Sequence, residues 1–173
     1  MTIVEDTRNK EGLHSRKRIY FEEQGIKVVR SKLPAADYAL LTDMSRVVDT
    51  KRNLQELVGN LVQDHERFKR EADFCKEHGI ELIVLIEEKN MHCLEDVLKW
   101  DNRRLKQWKK IKWMQKHGRW ASVKASAKPP ISNETLYKVM KTFGENHNVR
   151  WEFSNCYDAG KRVVELLMEG KDG

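Results

Sequence analysis

The sequence is short of what most specialised architectures require. Its 173 residues include only 3 Pro and 9 Gly, which excludes collagen-like and low-complexity chains. No apolar run approaches the roughly 18 residues of a membrane-spanning helix. The first ten residues lack an apolar core, so no signal peptide is expected. Cysteine is scarce: Cys75, Cys93 and Cys156 make no close pair and no metal-ligand spacing. A disulfide framework and a zinc knuckle are thereby excluded, and a reducing, cytoplasmic location is expected. Hydrophobic residues at 39% still suffice for one core, and the length fits one domain, residues 1–173.

Charge is abundant and unevenly placed. The net charge is +6, yet residues 99–128 hold 11 Lys and Arg against a single acid, Asp101. That segment carries +10, which leaves the rest of the chain at −4. A mildly acidic body with one strongly basic segment suggests a polyanion-binding element on a globular domain.

Periodicity supplies the outline. Strands are expected at 3–4, 26–30, 38–41 and 46–50, the last two forming a hairpin about a polar turn at 42–45. A polar helix is expected over 14–24, stopped by Gly25. Leu54, Leu57, Val58, Leu61, Val62, His65, Phe68, Ala72 and Cys75 recur at the helical period, which predicts one amphipathic helix ending near Gly79. Residues 80–86 form a buried strand. Helix, strand and helix follow at 133–144, 149–153 and 157–169. This alternation predicts an α/β domain with a mixed central sheet flanked by helices, and residues 89–130 interrupt it as a basic, Trp-rich insertion.

Three carboxylates, Asp6, Asp37 and Asp49, stand at or beside strand ends, with Lys51 two residues past Asp49. The period-2 rule puts positions 49 and 51 on one strand face. Asp-x-Lys is also a common solvated ion pair. Here the apolar Val47-Val48 precedes it, and Asp37 would arrive from the neighbouring hairpin strand. That context favours metal-assisted phosphodiester hydrolysis. Carboxylates suit Mg²⁺ (or Mn²⁺), the metal activates a water, and the lysine orients that water or stabilises charge on phosphate. Glu87, Glu88 and Glu71 read as solvated or salt-bridged, and His65 as a core histidine.

The order of these motifs resembles the XPF-type nuclease domain of the PD-(D/E)XK superfamily. Asp6-Thr7-Arg8-Asn9 stands for its first motif, Ala36-Asp37-Tyr38 for G-D-Y, and Val47-Val48-Asp49-Thr50-Lys51 for E-R-K. His65-Glu66-Arg67-Phe68 and the apolar run 82–87 follow in order, and the C-terminal part is similar to compact, phage- or mobile-element-associated members. The resemblance implies a restriction-endonuclease-like fold and a DNA endonuclease of repair or recombination. Asp6, Asp37 and Asp49 would be metal ligands and Lys51 catalytic, with Arg8 near the scissile phosphate or bracing the acids. Branched or single-strand-bearing DNA is the implied substrate, and a homodimer the implied assembly. Asn9 replaces an acid or amide, Ala36 replaces glycine, and Gln55 lies where some relatives have Asp. These departures keep open a catalytically weakened DNA-binding protein, and dimerisation keeps open a Holliday-junction resolvase.

Four of the five Trp lie between 100 and 120, interleaved with Arg103, Arg104, Lys106, Lys109, Lys110, Lys112, Lys116 and Arg119. Cations would neutralise phosphates, and rings would stack on unpaired bases. Leu105, Trp108 and Ile111 form an apolar stripe that could instead pack on the domain. Trp113 and Trp120, off that stripe, are the expected DNA contacts. A membrane surface is not expected as a partner.

Overall fold

The computed structural model describes residues 1–10, 12–119, 125–126 and 128–171. Six strands form one sheet in the order β2-β1-β3-β4-β5-β6. They are β1 (Thr2–Asp6), β2 (Lys27–Ser31), β3 (Tyr38–Leu40), β4 (Asp43–Lys51), β5 (Glu81–Glu87) and β6 (Val149–Ser154). β3 runs antiparallel to both neighbours, while β1/β2, β4/β5 and β5/β6 are parallel. The expected mixed sheet and β3–β4 hairpin are therefore present. The turn is tighter than the composition suggested, because β4 already begins at Asp43.

Alternation along the strands sorts side chains onto two cores. Val4, Val47, Leu82, Val84 and Ile86 face one side, beneath α2 (Leu54–Val62), α3 (His65–Glu77) and α5 (Asn133–His147). Ile3, Val48, Ile83 and Leu85 face the other, with Phe21 of α1 (Ser15–Glu23) and Leu166 of α6 (Ala159–Met168). Charge enters that second side only in pairs. Glu5 is fully buried and receives a bidentate hydrogen bond from Arg18 at 2.7 and 2.9 Å. Glu87, expected to be solvated, is instead buried against Lys17. An unpaired charge there would cost several kcal/mol, on the order of a whole core side chain.

The single helix expected from Leu54 to near Gly79 is two. Gln63 and Asp64 both donate their backbone N–H to Gly59 O, at 2.8 and 3.0 Å, which closes α2 before α3 begins. The apolar face carries on across the break through Leu54, Leu57 and Leu61 to Phe68, Ala72 and Cys75. Periodicity cannot reveal a break that preserves the face. A 3-10 segment, Leu94–Lys99, was not foreseen; with it, Met91 and Val97 bring the start of 89–130 into the core.

Beyond that segment stands α4 (Arg103–Lys116), which has no buried residue. Its base is fastened by two asparagines. Asn102 caps α4 by accepting from Leu105 N–H at 3.1 Å and donates to Ile131 O at 2.9 Å. Asn133 donates to Trp100 O at 2.8 Å and Leu98 O at 3.2 Å. No helix among the described residues is long and apolar enough to cross a membrane.

Candidate active site

The site forms where β1, β3 and β4 deliver polar residues to the side of the sheet covered by α2 and α3. A cleft of about 480 Å³ opens there, lined by Asp6, Arg8, Asp37, Asp49, Lys51 and Glu71. Asp49 and Lys51 share a face, as period 2 requires, and Lys51 Nζ lies 2.6 Å from Asp49 Oδ2. The ammonium also sits 5.6 Å from the centroid of the Phe68 ring on α3. Burial works against the charge of Lys51, but Asp49 outweighs it and holds the lysine above its ordinary value.

Asp37 precedes β3 and is drawn to the end of β4, where its Oδ2 accepts from Thr50 N–H at 2.8 Å and Thr50 Oγ1 at 2.6 Å. Burial, and then the charge of Asp49, push its carboxyl up to about 7. Glu71 of α3 is raised for the same two reasons. Its Oε1 accepts from Ala36 N–H at 2.6 Å, so it is a cleft residue and not merely a surface ion-pair partner. No sequence signal marks that contact, which spans 35 positions.

Asp6 is placed differently from its neighbours. Arg8 binds both of its oxygens, Nε to Oδ1 and Nη2 to Oδ2, each at 2.8 Å, and Leu33 N–H donates to Oδ2 at 2.8 Å. Burial pushes this carboxyl up, but the Arg8 hydrogen bonds win and keep it below the ordinary value. Asp6 thus braces Arg8, whose side chain is itself 56% exposed. Asn9, the departing position of the first motif, also lines the cleft with Lys10, Arg52 and Arg67, and the last three were not singled out from sequence as cleft-lining groups. His14 also lines the cleft, with Nδ1 2.7 Å from Tyr38 Oη. Burial, aided by Lys17, lowers this histidine to about 4.

Ala36 adopts φ 62 where the sequence resemblance led one to look for glycine. An L-residue in this region costs roughly 1–2 kcal/mol. Glycine avoids that cost but loses about 0.4–1 kcal/mol through its freer unfolded chain. Ala36→Gly is therefore expected to raise unfolding free energy by at most about 1 kcal/mol in urea titrations; a clear loss would show that the buried Ala36 methyl and the freer unfolded chain outweigh the relief of strain.

Among the described residues, no three His, Cys, Asp or Glu form a group that could hold a metal by themselves. The pair Asp37 and Asp49 nevertheless fits a hard divalent cation. Both offer oxygen donors, they repel each other, and Asp49 Oδ2 is buried without a hydrogen bond despite the nearby ammonium. Mg²⁺ is commonly held by one or two carboxylates and keeps several waters.

The proposed nucleic-acid contacts lie along α4. Arg103, Arg104, Lys106, Lys109, Lys110, Lys112 and Lys116 follow one another on the helix, and Arg119 comes just after it. Trp113 is 49% exposed, with the Arg119 guanidinium 5.0 Å from its ring centroid. The Leu105, Trp108 and Ile111 stripe is half-buried, not inserted in the core, and Trp108 Nε1 donates to Ser126 O at 2.9 Å. Trp120 lies outside the described residues.

The family model described as "ERCC4 domain" matches residues 6–165. No match was found among curated proteins. The structure is similar to that of XPF from Aeropyrum pernix, with TM-score 0.61 and 14% identity over 99% of this chain and 66% of that one. It is likewise similar to XPF from Aeropyrum pernix in complex with DNA, with TM-score 0.60 and 15% identity over 98% of this chain and 64% of that one. The chain thus spans just under two thirds of the length of these structures. With the family model covering nearly the whole sequence and the six-stranded mixed sheet matching the solved fold, this chain belongs to the ERCC4 domain family and has the fold of an XPF-type nuclease domain.

Proposed function

We propose that this chain is a divalent-metal-dependent endonuclease that hydrolyses phosphodiester bonds in DNA and prefers branched or single-strand-bearing substrates. One observation carries the reading: Asp37, Asp49 and Lys51 meet in a cleft rimmed by Arg8, Lys10, Arg52 and Arg67. Asp37 and Asp49 would hold Mg²⁺ or Mn²⁺, with Glu71 behind them. The metal, when bound, polarises a phosphoryl oxygen and lowers the pKa of a coordinated water. Lys51 keeps its proton beside Asp49 and supplies a fixed cation for charge that develops on phosphate. Arg8, aimed by Asp6, offers a second positioned cation.

Phosphate must be brought to acids that repel it, and the basic helix answers that need. Glu56 borders both the cleft and a groove of about 360 Å³ that also touches Trp100, Arg104 and Lys128. A strand lying in that groove would run from the acids to the base of α4. A panel of labelled flap, fork, junction, duplex and single-stranded DNAs tests the reading. The branched substrates are expected to be cut with Mg²⁺ and none with EDTA. Tight binding without cleavage of any DNA would favour a second reading, a DNA-binding protein on a weakened nuclease scaffold. The closed Asp6–Arg8 pair is the observation that favours it.

A further inference from the structure

A further hollow, of about 750 Å³, lies along the same rim of the sheet as the acids. It opens outside the carboxyl ends of the parallel strands β5 and β6. The strand register fixes its distance from the chemistry. Lys51 pairs with Ile86, and Ile86 pairs with Phe153, which lines the hollow. Two strand spacings therefore separate it from the catalytic lysine, roughly 10 Å.

Tyr157 on its wall is 77% exposed, the most exposed of the large hydrophobic side chains among the described residues. Its position is nonetheless fixed. Asn155 Oδ1 accepts from the backbone N–H groups of Tyr157 and Asp158 at 2.8 and 3.0 Å, and Asn155 Nδ2 donates to the Asp158 carboxylate. Arg16 of α1 lies 4.7 Å from the ring centroid and donates Nη1 to Cys156 Sγ at 2.8 Å. A cation over one face leaves the opposite face of so exposed a ring open to a planar group.

The charges point to the occupant. Of the acids on the wall, Glu87 is ion-paired with Lys17, Glu88 accepts from Leu54 N–H at 3.0 Å, and Asp158 accepts from Asn155 at the surface. Arg16 and Lys89 form no ion pair among the described residues. An exposed ring with Arg16 against one face and Lys89 lining the hollow beside it, neither cation in an ion pair, matches a base attached to a phosphate. We propose that this hollow receives an unpaired nucleotide of the DNA substrate, its base stacked on Tyr157 and its phosphate neutralised by Arg16 and Lys89. The site would read the single-stranded arm that distinguishes a fork or flap from plain duplex. This inference rests on the nuclease reading for its substrate, but it can be tested without cleavage.

Fluorescence anisotropy in EDTA compares a forked DNA with a blunt duplex of equal length, using the whole chain. Tyr157→Ala is expected to weaken fork binding by roughly fivefold to a hundredfold, the range for loss of one stacked base, and to leave duplex binding unchanged. Tyr157→Phe keeps the ring and should bind as the unsubstituted chain does. A 2-aminopurine placed in the arm should be quenched by the unsubstituted and Phe chains and not by the Ala chain. Equal weakening on both DNAs, or undiminished fork binding with undiminished quenching, would overturn the inference. A chain that cleaves branched DNA yet shows no arm effect removes this inference alone. An arm effect without cleavage under Mg²⁺ removes only the nuclease reading.

Discussion

Lys51→Ala is expected to lower cleavage of branched DNA by roughly 10²–10³-fold, the usual loss when one fixed donor to developing charge is removed. Asp49→Asn should lose at least as much, because it takes away a proposed metal ligand and the partner that keeps Lys51 charged. The two variants should part in stability. Without Lys51, the buried Asp49 carboxylate faces Asp37 with no ammonium between them. Breaking a buried pair from one side commonly costs about 3–5 kcal/mol, and the partial access of water to this cleft places the expected loss toward the lower end. Thermal unfolding in EDTA should therefore show a lowered midpoint for Lys51→Ala, partly restored by Mg²⁺. Undiminished nicking by both variants would sink the assignment of the site.

The second large effect runs the other way. Asp37→Asn should abolish cleavage and stabilise the protein. In the fold, burial and the Asp49 charge hold the Asp37 carboxyl near 7, against an ordinary value of 3.8. The folded state thus binds this proton more tightly than the unfolded chain does. Stability on this account falls as pH rises from about 4 to about 7 and stays reduced above that. An Asn in its place can still accept from Thr50 through its carbonyl and carries no charge to oppose Asp49. At pH 8 in EDTA, a gain on the order of 1–3 kcal/mol is expected, or roughly 2–4 °C in midpoint for each kcal/mol. The gain should shrink toward pH 4, where the native Asp37 is already protonated. An Asp37→Asn chain less stable than the native one at pH 8 would show that the two carboxylates do not repel each other.

The parts of this site legible in the sequence are those set by local geometry. Strand period alone put Asp49 and Lys51 on one face, and the hairpin brought Asp37 to them. The reading of Arg8 as a brace for the acids comes instead from the resemblance of the first motif, and the structure closes that pair over two residues. Glu71 could not be found this way, since its partner Ala36 lies 35 positions off and joins it only when α3 packs on the sheet. The burial of Glu87 was hidden for the same reason: it depends on Lys17, brought in by α1 from 70 positions away. The break between α2 and α3 was hidden by an apolar face that does not notice it. Fold class was within reach because alternation and helical period are local properties repeated along the chain.

The clasp made by Asn102 and Asn133 bears on how such a protein can change over generations. The basic helix leaves and rejoins the domain at one fastened point and contributes no side chain to the interior. Substitutions along it are thus nearly invisible to folding, whereas those around Asp49 alter stability and chemistry together. On the proposed reading, selection can retune which nucleic acids are held, residue by residue, while the hydrolytic centre stays constant. The arm and the centre form two traits with separate mutational histories on one small scaffold.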